Sequence, residues 1–188
     1  MLRKVSVCGN CPMRLFNKHY NLKGVGNPYF GNCIVVPNVD YNAYKKGDMG
    51  FSSQVEIIRD CSPSTGELDN LYIVPFIRCN ETISCELNDD IYKNCLTYFV
   101  EDLRQYNFKN ILLLGNVVSR FLGCDIKTYI DTIFISPNYR NYAVNYSPLI
   151  KYVDKSKFEV FKQYINKWYN KVINNYDTYS KHLTITIF

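Results

Sequence analysis

Long apolar stretches are missing from this chain. The opening residues MLRKVSVCGNC hold no run that would serve as a secretory leader, and no later segment reaches the roughly 20 apolar residues that a membrane helix requires. The expectation is a soluble, intracellular protein of the cytoplasm. Acidic residues are scarce at the start, where Asp40 alone stands against seven Lys or Arg across residues 1–46. There is no second CxxC to match Cys8-x-x-Cys11, which removes the zinc-ribbon arrangement. Repeats and low-complexity linkers are absent as well, so residues 1–188 read as one domain.

What is present suffices for a core, since 47% of the 188 residues are hydrophobic and 15% are aromatic. Tyrosine, at 17 residues, and asparagine are used heavily, a bias that an A+T-rich viral or low-GC bacterial genome produces without selection for function. The net charge of +5 is unevenly spread: Glu81, Glu86, Asp89, Asp90, Glu101 and Asp102 oppose only Lys93 between residues 80 and 102. A basic face opposite an acidic one suits an anionic partner such as DNA. An ordinary solvated surface gives the same distribution.

Strand and helix signals alternate along the chain. GNCIVVPN reads as a buried strand from Cys33 to Val36, LDNLYIVPFI as a second, NILLLG as a third and DTIFIS as a fourth. Ser52 or Ser53 caps a helix QVEIIRD, and Asn88 caps a longer one whose Ile91, Cys95, Phe99 and Leu103 recur every four positions. Asn116 begins a short helix closed by Gly123. Phe158, Phe161, Ile165, Trp168 and Val172 make one apolar helical stripe, read as a core face, and the tail HLTITIF alternates like a strand. The pattern predicts an α/β three-layer sandwich with a central, mostly parallel four-stranded sheet flanked by helices. Ligands in such folds sit at the carboxyl ends of the strands, which directs attention to the turns after Val36, Val74, Leu114 and Ser136.

Cys79, Cys85 and Cys95 lie in IRCNETISCELNDDIYKNC, and Cys8 and Cys11 share CGNCP. In a reducing compartment, an uneven set with one tight pair points to metal or packing before disulfides. Two thiolates from one turn, a third from Cys79 and a fourth from Cys85 or Cys95 would hold an iron–sulfur cluster as well as zinc, and spacing does not choose between them. Cys33, Cys61 and Cys124 lack such a pattern and read as packing residues.

Taken in order, CGNCPMRLF, GNPYFGNCIVVPN, IRC followed by fifteen residues and Cys95, NILLLGNVVSRFLG and YSPLI resemble the motifs of the family 4 uracil-DNA glycosylases over roughly residues 8–170. The resemblance implies a 4Fe–4S cluster on Cys8, Cys11, Cys79 and Cys95, with Cys85 a bystander and zinc the alternative metal. It also implies places for the chemistry that flips out and excises uracil. The water-positioning carboxylate of the family's G-E-A-P-G loop falls on Asn38 in VVPNVDY. Asp40 is a fallback carboxylate whose more ordinary role is to bond the turn. The aromatic floor beneath the base falls on Phe51. The uracil-reading Asn, four residues before the third cysteine, falls on Pro75, which has neither a side-chain amide nor a backbone N–H. The histidine of the family's H-P-S or H-P-A motif falls on Ser147, while His19 and His182 lie far from that loop in sequence. Pro148, Leu149 and Ile150 would then form either a wedge into the DNA minor groove or a buried loop anchor.

Asn38, Pro75 and Ser147 thus depart from the pattern at three of its four chemical positions, and one lost donor commonly costs about 10²-fold or more in rate. The expectation is an iron–sulfur DNA-binding protein with little or no uracil excision, acting in replication, repair or transcription, with a protein partner from one of those processes. Two alternatives stand beside it. One is an active glycosylase that hydrolyses the N-glycosidic bond of uracil or a modified base; the other is an interaction platform that uses the tail TITIF.

Overall fold

Strands that are apolar at every position need cover on both faces, and the computed structural model shows how this chain supplies it. The structure describes residues 7–16, 21–63, 70–80, 88–123, 125–130, 133–135 and 140–173. After a 3-10 turn at Val7–Asn10 come α1 (Pro12–Phe16), β1 (Val25–Gly26), β2 (Asn32–Val39), α2 (Tyr41–Lys46), α3 (Ser53–Cys61) and β3 (Tyr72–Asn80). They are followed by α4 (Asp89–Gln105), β4 (Asn110–Leu114), α5 (Val117–Leu122), α6 (Ile126–Tyr129), β5 (Ile133–Ile135), β6 (Asn141–Asn145) and α7 (Lys155–Ile173). The strands form one sheet in the order β1-β3-β2-β4-β6-β5. β3, β2, β4 and β6 run parallel, and β1 and β5 close the two edges antiparallel.

Side chains alternate across this sheet, so a single apolar run feeds two cores. Cys33 and Val35 of β2 face the layer built by α4 and α5, where Phe76, Leu113 and Val144 meet Phe99, Leu103 and Val118. Ile34 and Val36 face the layer built by α3 and α7, where Ile73, Leu112 and Ala143 meet Val55, Ile58, Phe161, Ile165 and Trp168. The helix boundaries follow local chemistry. The Asn88 side chain accepts from Ile91 N to start α4, the Ser52 hydroxyl accepts from Gln54 N to start α3, and Gly123 ends α5 in the left-handed region at φ 66°. Of the expected stripe, Phe161, Ile165 and Trp168 are buried and Phe158 packs partly buried against them; the side chain of Val172 lies outside the described residues. Among the described residues, no helix is long and apolar enough to cross a membrane.

The α/β sandwich is as expected, but its sheet has six strands rather than four. The parallel centre does contain four, yet the fourth is β6, and the DTIFIS segment supplies the antiparallel edge β5 instead. β6 offers only Tyr142-Ala143-Val144 between two asparagines, too short an apolar run to stand out, and β1 is two residues long. A different signal marks the register. Asn32, Asn110 and Asn141 open β2, β4 and β6 opposite one another. Asn110 Nδ2 donates to Asn32 Oδ1 at 3.0 Å, Asn141 Nδ2 donates to Asn110 Oδ1 at 2.9 Å, and Asn32 Nδ2 donates to the Asn70 carbonyl at 3.1 Å.

The carboxyl ends also move relative to expectation. β2 runs on to Val39 and β3 to Asn80, past the turns expected after Val36 and Val74, and the last parallel strand ends at Asn145. Ser136 and the tail TITIF lie outside the described residues. Replacing Asn110 by valine leaves Asn32 Oδ1 and Asn141 Nδ2 without partners, and is expected to lower stability by about 1–3 kcal/mol in urea unfolding.

Candidate functional site

Two places gather chemistry-bearing residues. The first is the cysteine centre. Cys8 and Cys11 bracket one turn, closed by Cys11 N donating to the Cys8 carbonyl at 3.3 Å, and Arg14 N then bonds the Cys11 carbonyl as α1 begins. Cys79 lies next to the end of β3, and Cys95 lies on the buried face of α4. All four thiols are buried and free. They are close enough to act on one another electrostatically: Cys79 feels Cys8 and Cys11, and Cys95 feels Cys79, Cys11 and Cys8. The sulfurs also have hydrogen-bond donors, namely the Tyr98 hydroxyl for Cys8, the Asn21 backbone N–H for Cys79 and the Arg78 backbone N–H for Cys95. Cys33 and Cys61 are buried in the two core layers, whereas Cys85 and Cys124 lie outside the described residues.

Among the described residues, no three His, Cys, Asp or Glu side chains are disposed to hold a single metal ion. A mononuclear zinc site demands sulfurs about 2.3 Å from one centre, whereas an iron–sulfur cluster takes each thiolate on its own iron and suits a wider set of soft donors. Four buried thiols, three of them with a donor at the sulfur, are soft ligands that suit either group.

Burial pushes Cys79 up to about 11 and Cys95 up to about 12 from the ordinary value of 9.0, against the pull of their backbone donors. Above pH 9 the unfolded thiols release protons that the folded chain still holds, so the unfolded state binds fewer protons and stability falls as pH rises. The melting temperature of the metal-free protein is therefore expected to decline from about pH 9 upward, and Cys95→Ala to make that decline shallower.

The second place is the carboxyl edge of the sheet. Numbered along the chain, the parallel strands stand in the order second, first, third, fourth, so the direction of addition reverses between β2 and β4. A crevice at such a reversal is where open α/β sheets bind ligands. Gly115, just past β4, lets the loops converge there: its φ is +64°, and a Cβ would lie 2.9 Å from Pro37 Cγ and 3.0 Å from Ser147 Cβ.

Asn38 is half-buried near the end of β2, and Gln54 Nε2 donates to its carbonyl at 2.8 Å and to its Oδ1 at 3.4 Å. Asp40 is engaged in structure. Its Oδ1 accepts from Ala43 N at 3.0 Å to cap α2, and its Oδ2 takes the Ser52 hydroxyl at 2.6 Å and Gln54 N at 3.3 Å at the head of α3. Phe51, in the 3-10 turn Met49–Phe51, is 56% exposed, with Lys46 Nζ 5.6 Å from the ring centroid. Pro75 is buried within β3 opposite Val36, short of the strand end.

Ser147 Oγ accepts from Leu149 N at 3.4 Å to cap the 3-10 turn Pro148–Tyr152. Pro148 is buried, and Leu149 and Ile150 pack partly buried against the α3–α7 layer; the exposed apolar groups of this loop are Tyr152 and Val153, at 69% and 83%. Beside Ser147 opens a cleft of about 570 Å³, lined by Asn116, Ser119, Asp125 and Tyr146 among others.

Hydrogen bonds and the Gly115 contact therefore bring Asn38, Asp40, Phe51 and Ser147 to one edge, while Pro75 stays inside the sheet. Sequence reasoning missed Gln54 and Asn145. Both are fully buried, and among the described residues Gln54 Oε1 and Asn145 Nδ2 have no hydrogen-bond partner. The only hint was an amide at the start of a helix that follows a strand. The carboxylates of this edge cap helices, Asp40 at α2 and Asp125 at α6, and its other polar groups are neutral amides and hydroxyls, suited to binding more than to proton transfer. No family model matches the chain, and no curated protein matches it in sequence.

Asp40→Ala removes the cap of α2 and two bonds to α3. It is expected to cost roughly 1–3 kcal/mol in a denaturation curve, as a structural carboxylate does.

Proposed function

We propose that this chain is an iron–sulfur DNA-binding protein on the scaffold of the family 4 uracil-DNA glycosylases, with little or no uracil excision. The observation that carries the reading is the gathering of Cys8, Cys11, Cys79 and Cys95 from a turn, a strand and a helix into one buried set of interacting thiols. These four residues would hold the cluster, which when bound braces the turn, β3 and α4 against one another.

The chemistry at the carboxyl edge supports binding without efficient cleavage. Asn38 brings an amide in place of a carboxylate and is already tied to Gln54. Pro75 brings no amide, and the Ser147 oxygen serves a turn. Each missing donor of this kind commonly costs about 10²–10³-fold in rate. Lys45, Lys46, Lys151 and Lys155 are exposed on the loops and helix ends that also expose Tyr41, Phe51 and Tyr152. Lysines beside open aromatic faces suit a phosphate backbone with unstacked bases. An active glycosylase of changed base specificity is the second reading, favoured by Asn38 at its strand end and by the cleft beside Ser147.

The test is to purify the protein without oxygen and incubate it with single- and double-stranded uracil DNA, followed by alkali to reveal abasic sites. The expected result is binding that weakens with salt and no strand breaks. Lys45→Gln with Lys46→Gln should reduce the log–log salt slope by about 2, roughly one per phosphate contact. Breaks that vanish in Asn38→Ala would establish the glycosylase.

A further inference from the structure

We propose that Tyr98 positions Cys8 and that the donors around the sulfurs set the reduction potential and the lifetime of the cluster; this rests on the iron–sulfur reading above. Cys95, Tyr98 and Asp102 follow one another on α4 at helical spacings of three and four, so one face of the helix carries all three. The Tyr98 hydroxyl reaches from that face to Cys8 Sγ at 3.2 Å.

Behind Tyr98 stands Arg78, buried and paired with Asp102, whose guanidinium carbon lies 5.4 Å from the Tyr98 ring centroid. Arg78 Nη2 donates to the Tyr98 carbonyl at 3.4 Å as well. The ring is thereby held between the turn that carries Cys8 and a fixed cation. Packing alone would be met by phenylalanine; the hydroxyl adds a donor at a sulfur.

The other donors share this arrangement. Arg78 gives its backbone N–H to Cys95, and Asn21 gives its own to Cys79. Asn21 sits in the left-handed region at φ 55°, a conformation that asparagine tolerates better than most side-chain-bearing residues. Its peptide is thus held in an uncommon turn where it serves a sulfur. Three of the four thiols receive a hydrogen bond from groups that have no catalytic place at the carboxyl edge.

Hydrogen bonds to cluster sulfurs draw off electron density and favour the reduced form, so they raise the potential. Partners behind the ligands also fix ligand orientation, and losing one typically costs 10–100-fold in metal affinity. Tyr98→Phe is expected to remove both contributions at Cys8 while leaving the ring in place.

The experiment loads wild type, Y98F and T97A anaerobically with ferrous iron and sulfide. It measures iron and sulfide per chain, the midpoint potential in a redox titration followed by absorbance, and the rate of iron loss to a chelator. Thr97 is exposed and neighbours Tyr98 without facing the sulfurs. Expected are equal loading, iron loss roughly 10-fold faster in Y98F, a midpoint moved to more negative potential, and T97A indistinguishable from wild type. Metal-free Y98F and wild type should melt together, which separates sulfur tuning from misfolding. Equal midpoints and equal loss rates in loaded wild type and Y98F, or the same changes in T97A, would overturn this inference alone. A wild-type chain that takes up neither iron nor sulfide would overturn the iron–sulfur reading, and this inference with it.

Discussion

Arg78 and Asp102 lie out of water, with side-chain exposures of 7% and 12%, and bond to each other between β3 and α4. Burial pushes the Asp102 carboxyl up and Arg78 pulls it back, with burial the larger influence. Neither group is tolerable there without the other, since removing one partner of a buried pair commonly costs about 3–5 kcal/mol. The pair consequently fixes how α4 lies on β3. Cys79 and Cys95 ride on those two elements, so the placement of half the thiol set depends on an ion pair that touches no sulfur through its own charges.

The same sheet presents two unlike regions. Beside the end of β3, soft donors are packed together and shielded; at the crevice between β2 and β4, neutral amides and hydroxyls meet around a glycine that no larger residue can replace without a clash. The first region suits a group that stays, the second a group that visits. An α/β sheet with a reversal in strand order permits this division, because the connections after β2 and β4 leave toward opposite faces of the sheet and open a crevice between them.

Much of the architecture was legible from local signals. The caps Asn88 and Ser52 and the terminator Gly123 act within a few residues, so sequence alone locates them. The stripe on α7 follows the same logic, for burial imposes a period. β6 was not legible, because its membership depends on β4 lying beside it and not on its own short apolar run. The cysteine set could be assembled from motif order. Gln54 could not, since its role arises only when α3 sets its first turn against the end of β2. Asp40 shows the converse: a carboxylate that stands out in a loop turns out to hold two helices.

The asparagine ladder has a consequence for how this protein can change. At the amino edge, Asn32, Asn110 and Asn141 spend their amides on one another, and alteration there is paid in stability. At the carboxyl edge, Gln54 Oε1 and Asn145 Nδ2 are buried with no hydrogen-bond partner among the described residues, an arrangement that already carries a cost. Substitution of Gln54 or Asn145 therefore starts from a deficit, unlike substitution of Asp40 or Gly115 at the same edge. The sheet thus has one end whose amides are mutually satisfied and another where two buried amide atoms stand open beside fixed points such as Gly115 and Asp40.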